Sequence, residues 1–268
     1  MQLGHFSIGS LRLATSSVGE GRNFLFLHGL CGDAAQPIEV FPTEAGWRCH
    51  ALESRGHGRS DIGEPADLSI CRFAEDAARF LEALDGPPPV IGGISMGAAI
   101  ALRLAATRPG LAGGLVLARP AWVDEAAPST LAPHREIAAL MVAHEPATAK
   151  RRFETSDTAR LVAAESPDNL ASLVGFFDRH PLDRTQALLA AIADDGPGVD
   201  RPAIAAIDLP TLVIGTDRDF VHPLSMAEEL ASLISGATLA RIPAKSDNRE
   251  EHVAAFRRAL HLFLKEIG

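Results

Sequence analysis

The pentapeptide Gly93-Ile94-Ser95-Met96-Gly97 offers the clearest chemistry in the sequence, a serine hydroxyl at a sharp turn. Before it, Pro87 to Pro89 interrupt the chain and Val90-Ile91 begin a short apolar run. After it, an Ala- and Leu-rich stretch favours a helix as far as Arg108-Pro109. Ser95 is therefore predicted where a buried strand turns into a helix. The flanking glycines permit such a turn because they carry no Cβ.

Further polar residues follow predicted strands elsewhere in the chain. They are His28-Gly29-Leu30, Gly56-His57-Gly58, Arg119 and Asp217. Strands that alternate with helices predict a parallel sheet wound with right-handed crossovers, in which ligands bind at the carboxyl ends of the strands. We therefore expect these residues, like Ser95, to lie at the edge of the sheet where ligands bind.

The rest of the sequence predicts an α/β fold with a mostly parallel central sheet and helices on both faces. Residues 3–18 alternate apolar and polar around Gly9-Ser10, which predicts an antiparallel hairpin at the sheet edge. Further strands are predicted over 23–27, 47–52, 115–117, 211–215 and 238–242. Helices are predicted over parts of 34–45, over 70–84 with Ser69 as the cap, and over 224–234 and 248–266.

The segment 123–206 differs from the rest, because its pattern is helical, polar-rich and punctuated by proline. We interpret it as a helical cap inserted after the sixth strand. Residues 1–122 and 207–268 are then predicted to form the core.

Composition restricts the class of protein. The 268 residues, 47% of them apolar, suit one large α/β domain, and the net charge of -9 argues against a nucleic-acid partner. No run approaches the ~18 apolar residues of a membrane span, and the N-terminus lacks a signal pattern, so we expect a cytoplasmic protein. Cys31, Cys49 and Cys71 indicate neither a disulfide framework nor a zinc site. We expect a small-molecule substrate and no metal or other cofactor.

Four motifs together resemble the α/β-hydrolase superfamily in their order and spacing: HGLCG at 28–32, SRGHGRS at 54–60, GISMG at 93–97 and IGTDRDFVHP at 214–223. The resemblance covers the chain outside the cap. It implies Ser95 as the nucleophile, and the backbone N–H groups of Leu30 and Met96 as the oxyanion hole. It also implies Asp217 as the acid that orients a histidine, with Asp219 as its nearest rival. His28 and His57 are expected to hydrogen-bond backbone within their loops.

The histidine departs from the family pattern, in which it follows the last strand. Ser246 stands at that position here. His252 is the favoured replacement, because it lies early on the core-facing side of the final helix and side chains tilt toward a helix's N-terminus. His222, in the same loop as Asp217, is the alternative, and a protein without a general base is the third interpretation.

These residues favour a hydrolase of small esters, thioesters or lactones, with a displaced or missing histidine. One alternative is a non-catalytic small-molecule binding or interaction protein on the same fold. Another is a hydrolase that cleaves a carbon-carbon bond in a diketone. Arg119 and Lys245 both follow strands, and we expect them to converge on a carboxylate or phosphate of the substrate.

Overall fold

The apolar runs of the sequence assemble into one sheet. In the computed structural model, which describes residues 1–44 and 46–268, eight strands lie in the order β1-β2-β4-β3-β5-β6-β7-β8. The strands are β1 (Gln2–Ile8), β2 (Leu11–Val18), β3 (Arg22–Leu27), β4 (Trp47–Leu52), β5 (Val90–Ile94), β6 (Gly114–Ala118), β7 (Thr211–Thr216) and β8 (Thr238–Ile242). Strands β1, β2 and β4 pair antiparallel, whereas β4, β3, β5, β6, β7 and β8 pair parallel. The predicted fold class and the N-terminal hairpin are confirmed.

Helices connect the parallel strands. They are α1 (Ala35–Val40), α2 (Ile70–Glu82), α3 (Met96–Thr107), α4 (Ala132–Ala143), α5 (Pro146–Glu154), α6 (Asp157–Glu165), α7 (Pro167–Val174), α8 (Leu182–Ala193), α9 (Arg201–Ala205), α10 (Leu224–Leu233) and α11 (Arg249–Glu266). Short 3-10 turns cover Pro65–Asp67, Ser129–Leu131 and Gly175–Asp178. Among the described residues, none of these helices has the length and apolar character required to cross a membrane.

The first helix, Ala35–Val40, covers part of the range 34–45 in which a helix is predicted. It ends at Val40, and Phe41 is extended with φ −79° and ψ 130°. Pro42 explains this end, because a proline disfavours the helical conformation of the residue before it. The last residue of the predicted range, Ala45, lies outside the described residues.

The sheet is covered on both faces, as its continuous apolar strands require. Successive side chains of β3 point to opposite faces, so Leu25 and Leu27 join the core that includes α2 and α3. Phe24 and Phe26 join a second core with α11, which contributes residues such as Phe256. The central strands are thus buried on both faces, and their carboxyl ends lie together at one edge of the sheet.

Helices α4 to α9 all lie between β6 and β7. They occupy the segment 123–206 that the sequence pattern separates from the core. The division into a core and a cap stays a prediction, but side chains of this segment do face the carboxyl edge of the sheet, as the site shows.

Candidate active site

Ser95 lies at the turn between β5 and α3, with the strained backbone angles φ 56° and ψ −113°. Close packing explains the glycines around it. A Cβ on Gly93 would overlap the backbone of Gly97, and a Cβ on Gly97 would overlap the carbonyl of Leu27 in β3. Such an outlier persists only when the surroundings enforce it, and it projects the Ser95 hydroxyl above the sheet edge.

The Ser95 hydroxyl is hydrogen-bonded to His222, which lies in the loop after β7. The distance between His222 Nε2 and Ser95 Oγ is 2.9 Å. On the other side of the ring, Nδ1 lies 2.9 Å from Oδ1 of Asp219. Since the carboxylate can only accept, Nδ1 carries the proton and Nε2 is free to accept one from the serine.

Asp219 is buried and is bound on both oxygens. Its Oδ1 also accepts the backbone N–H of His222 at 3.1 Å, and its Oδ2 accepts from Nε and Nη2 of Arg119 at 2.8 and 2.6 Å. Burial alone would raise the pKa of Asp219, but the charge of Arg119 and the bonds from Arg119 and His222 hold that pKa well below its usual range. Asp219 is therefore a permanent anion behind the imidazole.

Opposing effects set the pKa of His222. Burial lowers its pKa, the Asp219 carboxylate raises it, and the Arg119 guanidinium lowers it again, with a net result below the ordinary value of 6.5. Arg119 Nη2 lies 3.3 Å from Nδ1, and both atoms are donors when Asp219 holds the ring, so this contact is repulsive. The imidazole is thus neutral at pH 7 and can act as a base.

Residues at the start of α7 hold the loop that carries Asp219 and His222. The hydroxyl of Ser166 donates to the Arg218 carbonyl and accepts from the N–H of Phe220, at 2.8 and 2.9 Å. The N–H of Val221 donates to Oδ1 of Asn169 at 2.9 Å. The loop conformation is therefore set from the inserted segment and not only from the sheet.

Leu30 lies in the loop after β3 and lines the same cavity as Ser95, and Met96 follows Ser95 directly as the first residue of α3. Within residues 1–44 and 46–268, neither backbone N–H finds a hydrogen-bond acceptor. Free N–H donors of this kind are able to bind a negatively charged oxygen.

A cavity of about 240 Å³ opens beside Ser95. Its lining comes from the segments that follow β3, β6, β7 and β8 and from the inserted segment. It includes Leu30, Gln36, Arg119, His134, Asn169, Arg179, His222 and Lys245. This volume lies below the ~300–1,000 Å³ of common ligand pockets, so the site suits a small substrate.

The structure does not bring His252 or Asp217 to Ser95, which corrects where the sequence placed them. His252 Nδ1 lies 2.8 Å from the Pro243 carbonyl, and its ring packs against Phe256 with the centroids 6.3 Å apart. The ring thus fastens the loop after β8 to α11. Asp217 is exposed, because the chain turns at Arg218 with φ 50° and presents Asp219 to the interior instead.

The other expected residues divide between the cavity and the scaffold. Lys245 lines the cavity, and Ser246 has a buried hydroxyl for which the described residues supply no partner. His28 accepts the N–H of Ser54 through Nε2, and its Nδ1 lies 2.8 Å from the Gly29 carbonyl. His57 Nδ1 lies 2.9 Å from the Arg55 carbonyl, so both loop histidines bond backbone.

Sequence reasoning missed several side chains of the site. The spacing Asp219-x-x-His222 was a usable signal, since three residues of a tight turn can place both side chains on one side. His134, Asn169 and Arg179 come from the inserted segment, which carries no motif, and nothing in the sequence marks them.

Comparisons with known proteins agree with this architecture. The model of the alpha/beta hydrolase fold family matches residues 22–246. A candidate carbamate hydrolase of Variovorax paradoxus is 28% identical over 259 residues, covering 93% of this chain and 94% of the relative.

Solved structures show the same fold at lower identity. A thermophilic esterase from Thermogutta terrifontis has a TM-score of 0.72 at 21% identity, covering 98% of this chain and 99% of the esterase. An enol-lactonase from Burkholderia xenovorans has a TM-score of 0.68 at 21% identity, covering 98% of both chains. Because the family model spans most of the sequence, the protein belongs to the α/β-hydrolase fold family.

Proposed function

We propose that the protein is a serine hydrolase of small esters, thioesters or lactones. Ser95 is the nucleophile, His222 the general base and Asp219 the acid that orients it. One observation carries the proposal: the unbroken chain from Ser95 Oγ through both ring nitrogens of His222 to Asp219, with 2.9 Å at each step.

The chemistry follows from the order of these groups. A neutral serine attacks slowly, but His222 Nε2 takes its proton as the oxygen adds to the substrate carbonyl. The negative charge then develops on the carbonyl oxygen, where the N–H groups of Leu30 and Met96 can bind it. Return of the proton from His222 to the leaving group breaks the bond and leaves an acyl group on Ser95.

Water completes the turnover. His222 takes a proton from a water molecule as the water oxygen attacks the acyl carbonyl. His222 then gives this proton to Ser95 Oγ as the acid product leaves. Asp219 stabilises the imidazolium in each half-reaction. It also keeps Nδ1 protonated, so that Nε2 stays available.

The arrangement argues against the binding function and gives no support to the carbon-carbon bond hydrolase. A binding protein has no need of a buried Asp219 anion and a lowered histidine pKa aligned with a strained serine. Cleavage of a carbon-carbon bond would use the same turn at Ser95, but no feature of the described cavity favours it over ester cleavage. The carbamate hydrolase, esterase and enol-lactonase named above agree with acyl transfer.

Labelling with a fluorophosphonate probe tests the proposal. Only an activated serine reacts quickly, so we expect rapid modification of Ser95, detected as a mass increase on the peptide that contains it. Ser95→Ala should abolish labelling, and His222→Ala should slow it strongly. A folded wild-type protein that resists the probe would favour the binding function.

A further inference from the structure

Two cationic side chains of the cavity lie outside the hydrogen-bonded chain at Ser95. Lys245 comes from the loop after β8 and is half-buried. Arg179 follows the 3-10 turn after α7, with its guanidinium 5.6 Å from the centre of the Phe176 ring. In the described part of the chain, no carboxylate forms an ion pair with either one. Arg119, in contrast, is already neutralised by Asp219.

The two side-chain amides of the cavity also present N–H donors. Gln36 Oε1 accepts the N–H of Gly29 at 2.6 Å, and Asn169 Oδ1 accepts the N–H of Val221 at 2.9 Å. These bonds identify the oxygen of each amide, so the remaining nitrogens are donors without an acceptor among the described residues. A ligand that accepts hydrogen bonds suits both.

His134 adds a buried polar group that lacks a partner. Its side chain lines the cavity, the residue is only 6% exposed, and no described group bonds its Nδ1. Burial is the main cause that lowers the pKa of His134 to about 3, so the ring is neutral. His134 therefore adds to the cavity lining a buried polar group whose hydrogen-bonding capacity the described residues do not use.

Two acids limit the charge of the cavity without neutralising Lys245. Asp33 is exposed, and its carboxylate accepts the N–H of Ala35. Asp168 lies in the first turn of α7, where a helix favours a negative charge. Asp168 raises the pKa of Lys245 against the lowering caused by burial and by Arg119, but it makes no ion pair with the amine. Lys245 and Arg179 together balance Asp33 and Asp168, so the lining has no surplus positive charge for a polyanion, and Lys245 is the half-buried cation with which one carboxylate can pair.

We infer that this cavity selects substrates carrying a single carboxylate, which Lys245 binds while Ser95 attacks the ester, thioester or lactone carbonyl. The inference rests on the proposed hydrolase function. It gives the substrate carboxylate to Lys245 and not to Arg119, because the charge of Arg119 is already balanced by Asp219 through Nε and Nη2. The cavity of about 240 Å³ admits a small acyl chain with a terminal carboxylate.

Paired substrates test the selectivity. Monoethyl succinate and ethyl butyrate differ by a carboxylate in place of a methyl group, and acid release gives kcat/KM for each. The wild type should prefer the succinate ester, and Lys245→Met should lower the ratio of the two values roughly 10- to 100-fold, as expected for loss of a charged hydrogen bond. Lys265→Met, at an exposed site on α11, is the matched control and should keep the wild-type ratio. An unchanged ratio in Lys245→Met would overturn the inference.

Binding without turnover separates this inference from the hydrolase proposal. Succinamate and butyramide, which lack the ester bond, can be titrated into the protein and followed by ligand-observed nuclear magnetic resonance. Succinamate should bind more tightly than butyramide, and Lys245→Met should remove roughly 10- to 100-fold of that difference. If no ester is cleaved but this difference is found, the hydrolase proposal fails and the carboxylate site stands. If esters are cleaved but succinamate binds wild type and Lys245→Met equally, the carboxylate site fails alone.

Discussion

Asp219 and His222 lie three residues apart in one loop, and a single carboxylate oxygen of Asp219 accepts both the backbone N–H and the ring Nδ1–H of His222. The acid thus fixes the backbone and the side chain of the histidine together. Because both residues follow the same strand, the base reaches Ser95 without any contribution from the loop after β8, where Ser246 stands.

Replacing each of two histidines distinguishes their roles. His222→Ala should lower kcat by roughly 10³-fold or more, since no other described group bonds the Ser95 hydroxyl. Steady-state kinetics with an activated ester, together with a melting curve, measures the loss in folded protein.

The matched variant His252→Ala should leave kcat within about tenfold of the wild type. It removes the bond to the Pro243 carbonyl and the packing on Phe256, so the free energy of unfolding should fall by about 1–2 kcal/mol. Equal losses of kcat in the two variants would contradict the assignment of His222.

Two aspartates of the same loop give a second paired comparison. Asp219→Asn should lower kcat by roughly 10⁴-fold, because an amide no longer fixes the tautomer or stabilises the imidazolium. Asp217→Asn alters an exposed side chain and should change kcat by less than about threefold. A larger effect from Asp217 would return the acid role to that residue.

The geometry at Ser95 was predictable because its determinants are adjacent in sequence. The strand before it, the helix after it and the glycines that avoid overlap all lie within residues 87–109. The long apolar runs likewise predicted the sheet, since a strand that is buried on both faces carries apolar side chains at consecutive positions. The end of α1 was less predictable, because the pattern indicated a helix only over parts of 34–45 and Pro42 sets the residue at which it stops.

The partner of Ser95 could not be chosen from sequence alone. Whether His222 or His252 reaches the hydroxyl depends on the turn at Arg218, and this loop is held by Ser166 and Asn169, about fifty residues away. Those two residues belong to a segment without motifs. Helix geometry correctly placed His252 on the core side of α11. It did not reveal that Nδ1 of His252 is hydrogen-bonded to the Pro243 carbonyl.

The pH dependence should report the charges around His222. Burial and the charge of Arg119 lower the pKa of His222, whereas the charges of Asp219 and Asp168 raise it, and the net result lies below 6.5. The acid limb of the pH profile of kcat/KM should therefore have its midpoint below pH 6.5. Activity requires the neutral imidazole, and it is lost as the pH falls through this pKa.

Arg119→Met removes a positive charge beside the imidazole and should raise the His222 pKa. The acid limb should therefore move to higher pH, and kcat should fall because Asp219 loses the partner on Oδ2. Arg108→Met, which alters an exposed arginine near Glu82, is the control and should keep the wild-type profile. A limb that moves to lower pH, or stays in place, would contradict the electrostatic role of Arg119.

The contact between the start of α7 and the loop that carries Asp219 and His222 should be needed for turnover as well as for stability. Ser166→Ala removes the acceptor of the Phe220 N–H and the donor to the Arg218 carbonyl, so we expect a loss of about 1–3 kcal/mol in stability and a drop in kcat of roughly tenfold or more. Ser156→Ala is the matched control, because that serine caps α6 through the N–H of Ala159 and touches no residue of the site loop. It should cost about 1 kcal/mol of stability with kcat unchanged. If both variants lost stability and neither lost kcat, the inserted segment would stabilise the fold without positioning His222.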